Sequence, residues 1–114
     1  MAGRLIAVTR IHGIAGRRDE LRALMQDTQR RTSAEPGCIR YVFAATVGAA
    51  DEYVNVQEWT DDSAFAAHQR SDAFRDYQHG LAELLARPSE MELHRVGPTV
   101  APEPSGPMDP RSAD

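Results

Sequence analysis

NVQEWTDDSAFAAHQRSDAF, residues 55–74, reads as a strand, a turn and a helix in succession, and the rest of the chain is arranged around it. A period of two puts Asn55, Gln57 and Trp59 on one strand face and Val54, Val56 and Glu58 on the other. Two carboxamides and the only tryptophan thus share one face, an unusual load for a surface that a helix would cover. Thr60 or Asp61 can cap a short helix with Asp62 in its first turn and Phe65 as its apolar anchor. Ser71 caps again, and Phe74, Tyr77, Leu81, Leu84 and Leu85 keep helical spacing up to Arg87-Pro88, where proline ends the run.

Working upstream, residues 39–45 alternate Ile39, Tyr41 and Phe43 against Arg40, Val42 and Ala44, and VGAADE turns that strand into 53–59 as a hairpin. Before it, EPGC at residues 35–38 must stop a helix, since the residue ahead of Pro36 is pushed out of the α region and Gly37 permits a sharp turn. That helix starts near Arg17 and sets Leu21, Leu24, Met25 and Thr28 on one side. A first strand over residues 5–12 faces Leu5, Ala7, Thr9 and Ile11 one way, and Met91 to Val96 alternates as a last strand. The order β-α-β-β-α-β specifies an α+β, ferredoxin-like domain over residues 1–97, with both major helices on one side of a four-stranded antiparallel sheet. The other sheet face carries apolar residues too, so two sheets are expected to pack face to face in a homodimer. Residues 98–114 hold five of the seven prolines (Pro98, Pro102, Pro104, Pro107 and Pro110) and no periodicity, and the expectation is a tail held against its own domain or a partner subunit.

The 114 residues are enough for one core. A formal charge of −4, with all 13 basic side chains arginine and no cluster among them, argues against nucleic acid. The N-terminal apolar run is too short for a signal peptide or membrane span, so no membrane partner and a cytoplasmic location are expected. The single Cys38 allows no internal disulfide and is expected to act as a small buried hydrophobe in a reducing compartment.

EPGCIRY at 35–41, EW at 58–59 and AFAAHQRSDAF at 64–74, in that strand and helix order, resemble the antibiotic biosynthesis monooxygenase domain family, in particular its quinol monooxygenase-like members. The resemblance covers about residues 5–96. It implies a dimeric α+β barrel with one cavity per subunit between sheet and helices. It also implies oxidation of a hydroquinone or aromatic polyketide by O2 without flavin, metal or haem, so that no cofactor is required.

In the cofactor-free polyketide oxygenases of that family, an asparagine four residues before a tryptophan on the third strand contacts the substrate, and Asn55 and Trp59 match that spacing. An electron-rich phenolate can itself reduce O2, so the protein need only deprotonate, orient and stabilise the oxyanion, for which an amide and an indole N–H are suitable donors. The competing reading is plain core: Trp59 filling space and Asn55 satisfying a backbone group. A tyrosine those oxygenases carry six residues after the tryptophan is Phe65 here, which removes a hydroxyl. His68, one helical step beyond Phe65, is the best general-base candidate, against a structural role tying the helix to the loop before Ser71. Thr9, Tyr41, Phe43, Phe65, Phe74, Tyr77 and Leu81 are candidate walls of the substrate pocket. His12, His79 and His94 default to solvated surface, the acids at 51–52 and 61–62 to caps and loop charges, and Arg10, Arg40 and Arg95 to salt bridges across the dimer.

The haem-degrading branch uses a first-strand asparagine, a tryptophan and an axial histidine at positions that here read Thr9, His68 and Gln78, so none matches. His79 lies one residue from the ligand position, which on a helix is about 100 degrees away. A third reading is a small-molecule-binding or stress-response dimer without catalysis.

Overall fold

A computed structural model describes residues 3–102. Strand β1 (Arg4–His12) is followed by helix α1 (Arg18–Ser33), strands β2 (Cys38–Ala45) and β3 (Glu52–Trp59), helices α2 (Asp62–Gln69) and α3 (Asp72–Leu81), and strand β4 (Glu90–Val96). The sheet order is β2-β3-β1-β4, antiparallel throughout, which is the ferredoxin-like arrangement.

The inner face of the sheet is built in rows set by strand register. Ile11 pairs with Tyr53, Thr9 with Asn55, Ala7 with Gln57 and Leu5 with Trp59, while β2 adds Phe43 beside Asn55, Tyr41 beside Gln57 and Cys38 beside Trp59. Two clusters cover these rows. One joins Ile11, Leu21, Met25, Tyr53, Tyr77 and Leu81; the other joins Leu5, Ala7, Tyr41, Trp59 and Phe65; Phe43 packs against both. At about 25 cal/mol per Å² of apolar surface removed from water, these clusters are the main favourable term holding the helices to the sheet.

Asp61 caps α2 by accepting from the Ala64 N–H at 2.9 Å, and Ser71 caps α3 by accepting from the Phe74 N–H at 3.1 Å. The third helix stops at Leu81, short of the expected Leu85. Past it the backbone turns to pair with the end of β1: the Ile14 N–H donates to the Leu84 carbonyl at 2.9 Å and the Ala86 N–H to the His12 carbonyl at 2.8 Å. The spacing of Leu81, Leu84 and Leu85 suits this turn as well as a helix, and Leu84 still reaches the core.

Ile39 departs from the expected alternation. The register skips between Cys38 and Arg40, so Ile39 is the extra residue of a bulge and is exposed. Cys38, expected to be buried, is half-buried at the start of β2, on the flank of the second cluster. The tail expectation falls largely on residues 103–114, outside the described residues; residues 98–102 are exposed and without regular structure.

Candidate functional site

A ladder of side-chain hydrogen bonds runs along the inner face of β3. The Trp59 Nε1–H donates to Gln57 Oε1 at 3.0 Å, the Gln57 Nε2–H to Asn55 Oδ1 at 2.7 Å, and the Asn55 Nδ2–H to the Val42 carbonyl at 3.1 Å. All three side chains are buried. The indole N–H, expected to face a substrate oxyanion, is therefore committed to Gln57. The Asn55 amide also bonds the Tyr41 side chain, and beside it across the strand pair stands Thr9, whose buried Oγ1 has no partner. Phe43 flanks the same row, its ring 5.7 Å from that of Tyr77.

His68, from α2, lies over the Trp59 end of this stripe. Its imidazole stacks on the indole at 4.9 Å, with Phe74 edge-on at 5.2 Å, Tyr41 at 5.6 Å and Phe65 at 6.5 Å. Its Nδ1 is 2.8 Å from Glu35 Oε1, and its Nε2 is buried without a partner. Burial lowers the His68 pKa below its ordinary value against the opposing pull of Glu35, so the ring is neutral near pH 7. A neutral ring beside a carboxylate carries its proton on Nδ1, which leaves the Nε2 lone pair buried and without a donor. Burial raises Tyr41 and Tyr77 well above the ordinary phenol range, so neither competes as a base.

Glu35 reaches the imidazole because of a turn that its own motif dictates. The Cys38 N–H donates to the Glu35 carbonyl at 3.1 Å across Pro36 and Gly37, with Gly37 at φ +80°, which is what proline and glycine favour at the two centres of a type II turn. The Gly37 carbonyl then takes the Thr60 N–H at 2.9 Å, and a Cβ on Gly37 would lie 2.4 Å from Ala64 Cβ. The absent side chain thus lets α2 dock on the turn and bring His68 to Glu35. In the sequence EPGC marks a helix stop, a sharp turn and part of the family resemblance but assigns Glu35 no role; an acid two residues before a turn glycine was the available signal.

Trp59 and His68 are brought together with Tyr41, Phe65 and Phe74, whereas Asn55 is joined to Trp59 only through Gln57 and stands beside Thr9 and Phe43, with Tyr77 against Phe43. Tyr77 and Leu81 belong to the cluster around Ile11 and Leu21. The remaining titratable candidates lie elsewhere. His79, Gln78 and His94 are exposed, and His12 sits between Glu90 at 3.1 Å and Glu52 at 3.5 Å. Arg95, expected to bridge a dimer, pairs within the chain with Asp62 at 2.6 Å. Among the described residues no three His, Cys, Asp or Glu side chains converge as metal ligands, and no helix is long and apolar enough to cross a membrane.

The family model described as antibiotic biosynthesis monooxygenase matches residues 4–80. Similar solved structures include the Mycobacterium tuberculosis protein Rv0793, with 23% identity and a TM-score of 0.80, covering 87% of this chain and 100% of that one. A conserved Methanosarcina mazei protein has 23% identity and a TM-score of 0.78, with 82% and 93% covered. A Deinococcus radiodurans protein carrying the same family's name has 16% identity and a TM-score of 0.82, with 88% and 99% covered. At these identities the structures establish the fold. Among curated proteins, none matches the chain.

Proposed function

From the premise that the chain belongs to the antibiotic biosynthesis monooxygenase family, we propose that it is a cofactor-independent monooxygenase acting on a hydroquinone or a polyketide-like phenol. The observation that carries this reading is His68: a neutral imidazole oriented by Glu35, with its Nε2 lone pair buried, unpartnered and walled by aromatic rings. Nε2 takes the proton of a substrate O–H. The resulting phenolate delivers electrons to O2, one oxygen atom enters the ring and the other leaves as water, so that a hydroquinone and O2 give a hydroxyquinone and water. The Thr9 hydroxyl, buried without a partner, and the Asn55 amide beside it hold the oxyanion. Trp59 fixes the imidazole plane by stacking. Tyr41, Phe43, Phe65, Phe74 and Tyr77 line the site, and Phe74, the half-buried ring of the cage, is its wall toward solvent.

The active unit in this reading is a homodimer, supported by the half-buried Val8, Val54 and Val56 and the exposed Val42 on the outer sheet face. Oxygen uptake on adding reduced menadione tests the function. The wild type should exceed the buffer's autoxidation rate, and His68→Gln should lose about a hundredfold or more, as general bases do when removed. Asn55→Ala and Trp59→Phe should also fall. Uptake equal to that of buffer overturns the reading for this substrate class. A non-catalytic binding dimer is the second reading, and one observation favours it: the ladder from Trp59 to Val42 satisfies most of its polar groups internally.

A further inference from the structure

A groove of about 690 Å³ runs between α1 and the β2–β3 hairpin, away from the imidazole cage. Its helical wall is a single stripe, Arg18, Arg22, Gln26 and Gln29, at the four- and three-residue spacings that share a helix face. Met25, Phe43 and Tyr53 supply apolar surface, and the opposite wall is small, from Ala44 and Ala45 to the hairpin end at Gly48. Each end is tied. Arg18 Nε meets Asp51 Oδ1 at 3.3 Å, and Gln29 Oε1 accepts the Phe43 N–H at 2.8 Å.

The groove lining carries two arginines, Arg18 and Arg22, and two acids, Asp51 and Glu52, and among the described residues Arg22 alone of these four has no charged partner. Asp51 is engaged by Arg18, and its backbone carbonyl takes the Gly13 N–H at 2.7 Å. Glu52 alternates to the outer sheet face with its partner His12, whereas Tyr53 faces inward. Arg22 pairs with no carboxylate among the described residues, and its neighbour Gln26 is exposed. The edge of β2 adds a backbone donor: the Phe43 N–H points out of the sheet to Gln29, and ladder alternation points the Ala45 N–H the same way.

We propose that this groove binds a flat aromatic acid, its ring laid on Met25, Phe43 and Tyr53 and its carboxylate held by the Arg22 guanidinium. An apolar bed with one fork-shaped cation at its rim matches an aryl carboxylate, since the guanidinium can donate to both oxygens. The volume is in the range of small-molecule sites. The proposal shares Phe43 with the oxygenase site but none of its proton-handling groups, and its test reads binding alone.

The probes are 2-naphthoate and its neutral isostere 2-naphthamide, titrated into the isotopically labelled full chain while backbone amide shifts are followed. Naphthoate should move amides of residues 22–29 and 43–53 and bind roughly tenfold tighter than naphthamide, the scale of one charge-assisted contact. Arg22→Gln should erase that difference, whereas Arg30→Gln, on the same helix outside the groove and paired with Asp27, should leave it intact. Shifts mapping elsewhere, equal affinity for the two probes, or equal losses from the two arginine variants would each overturn the proposal. Loss of amide dispersion in Arg22→Gln is met with Arg22→Lys, which keeps the charge and must keep the preference for naphthoate over naphthamide.

Discussion

Replacing Gln57 by leucine isolates what the ladder on β3 contributes. The substitution keeps roughly the same volume but removes both hydrogen bonds that Gln57 makes, leaving the fully buried Trp59 Nε1–H and the buried Asn55 Oδ1 without partners. Each orphaned group costs about 1–3 kcal/mol, while leucine recovers about 1–2 kcal/mol from added apolar burial, so the centres of these ranges give an expected loss of about 2.5 kcal/mol. With a urea slope of about 1–3 kcal/mol per molar, the unfolding midpoint should fall by about 1–2 M at fixed protein concentration. A double-mutant cycle sharpens the test. Trp59→Phe made in the Gln57→Leu background no longer strands an amide partner, so the two costs should fall short of additive by about 1 kcal/mol or more. A midpoint within about 0.3 M of the wild type, or strict additivity, would refute the claim that these groups satisfy one another.

Thr9→Val removes a buried hydroxyl that has no partner while keeping the side chain's shape, so it should raise the unfolding midpoint by about 1 kcal/mol in equivalent stability. Because burial depresses the folded-state pKa of His68 below its unfolded value, the stability it contributes is complete above about pH 6.5 and is lost as pH falls through the folded pKa. His68→Gln should flatten that acid limb in denaturation curves recorded at several pH values; an unchanged limb would contradict a neutral buried ring. Gly37→Ala forces a residue into φ +80° and drives its Cβ against Ala64, so it should cost about 2–4 kcal/mol in urea denaturation and detach the His68 ring signal from Glu35 in imidazole nitrogen spectra.

Alternation and helical spacing carried most of the fold, because period two and period 3.6 are imposed by backbone geometry and leave a direct trace in residue order. They were blind where one pattern serves two conformations. Leu81, Leu84 and Leu85 suit both a helix and the turn that pairs with β1, and only the hydrogen bonds offered by the end of β1 decide between them. The bulge at Ile39 left no mark either, since it depends on how β2 registers against β3. In the site, the shared face of Asn55, Gln57 and Trp59 was legible. That the three bond to one another was not, because residue spacing places side chains without assigning donors to acceptors. Glu35 was hidden for a different reason: its partner lies 33 positions away, and only the docking of α2 on Gly37 makes them neighbours.

The ladder on β3 begins at an indole, which can only donate, and ends at a backbone carbonyl, which can only accept. Such a chain has a single proton ordering. Turning over the amide of Gln57 would set donor against donor at Trp59, and turning over Asn55 would set acceptor against acceptor at Val42, so neither carboxamide has a second orientation of comparable energy. The dipoles consequently all run one way, each reinforcing the next. The Asn55 amide is thereby held in one direction from both ends of the chain, and a phenylalanine at position 59 would remove the donor end while the Val42 carbonyl still orients Asn55 and, through it, Gln57.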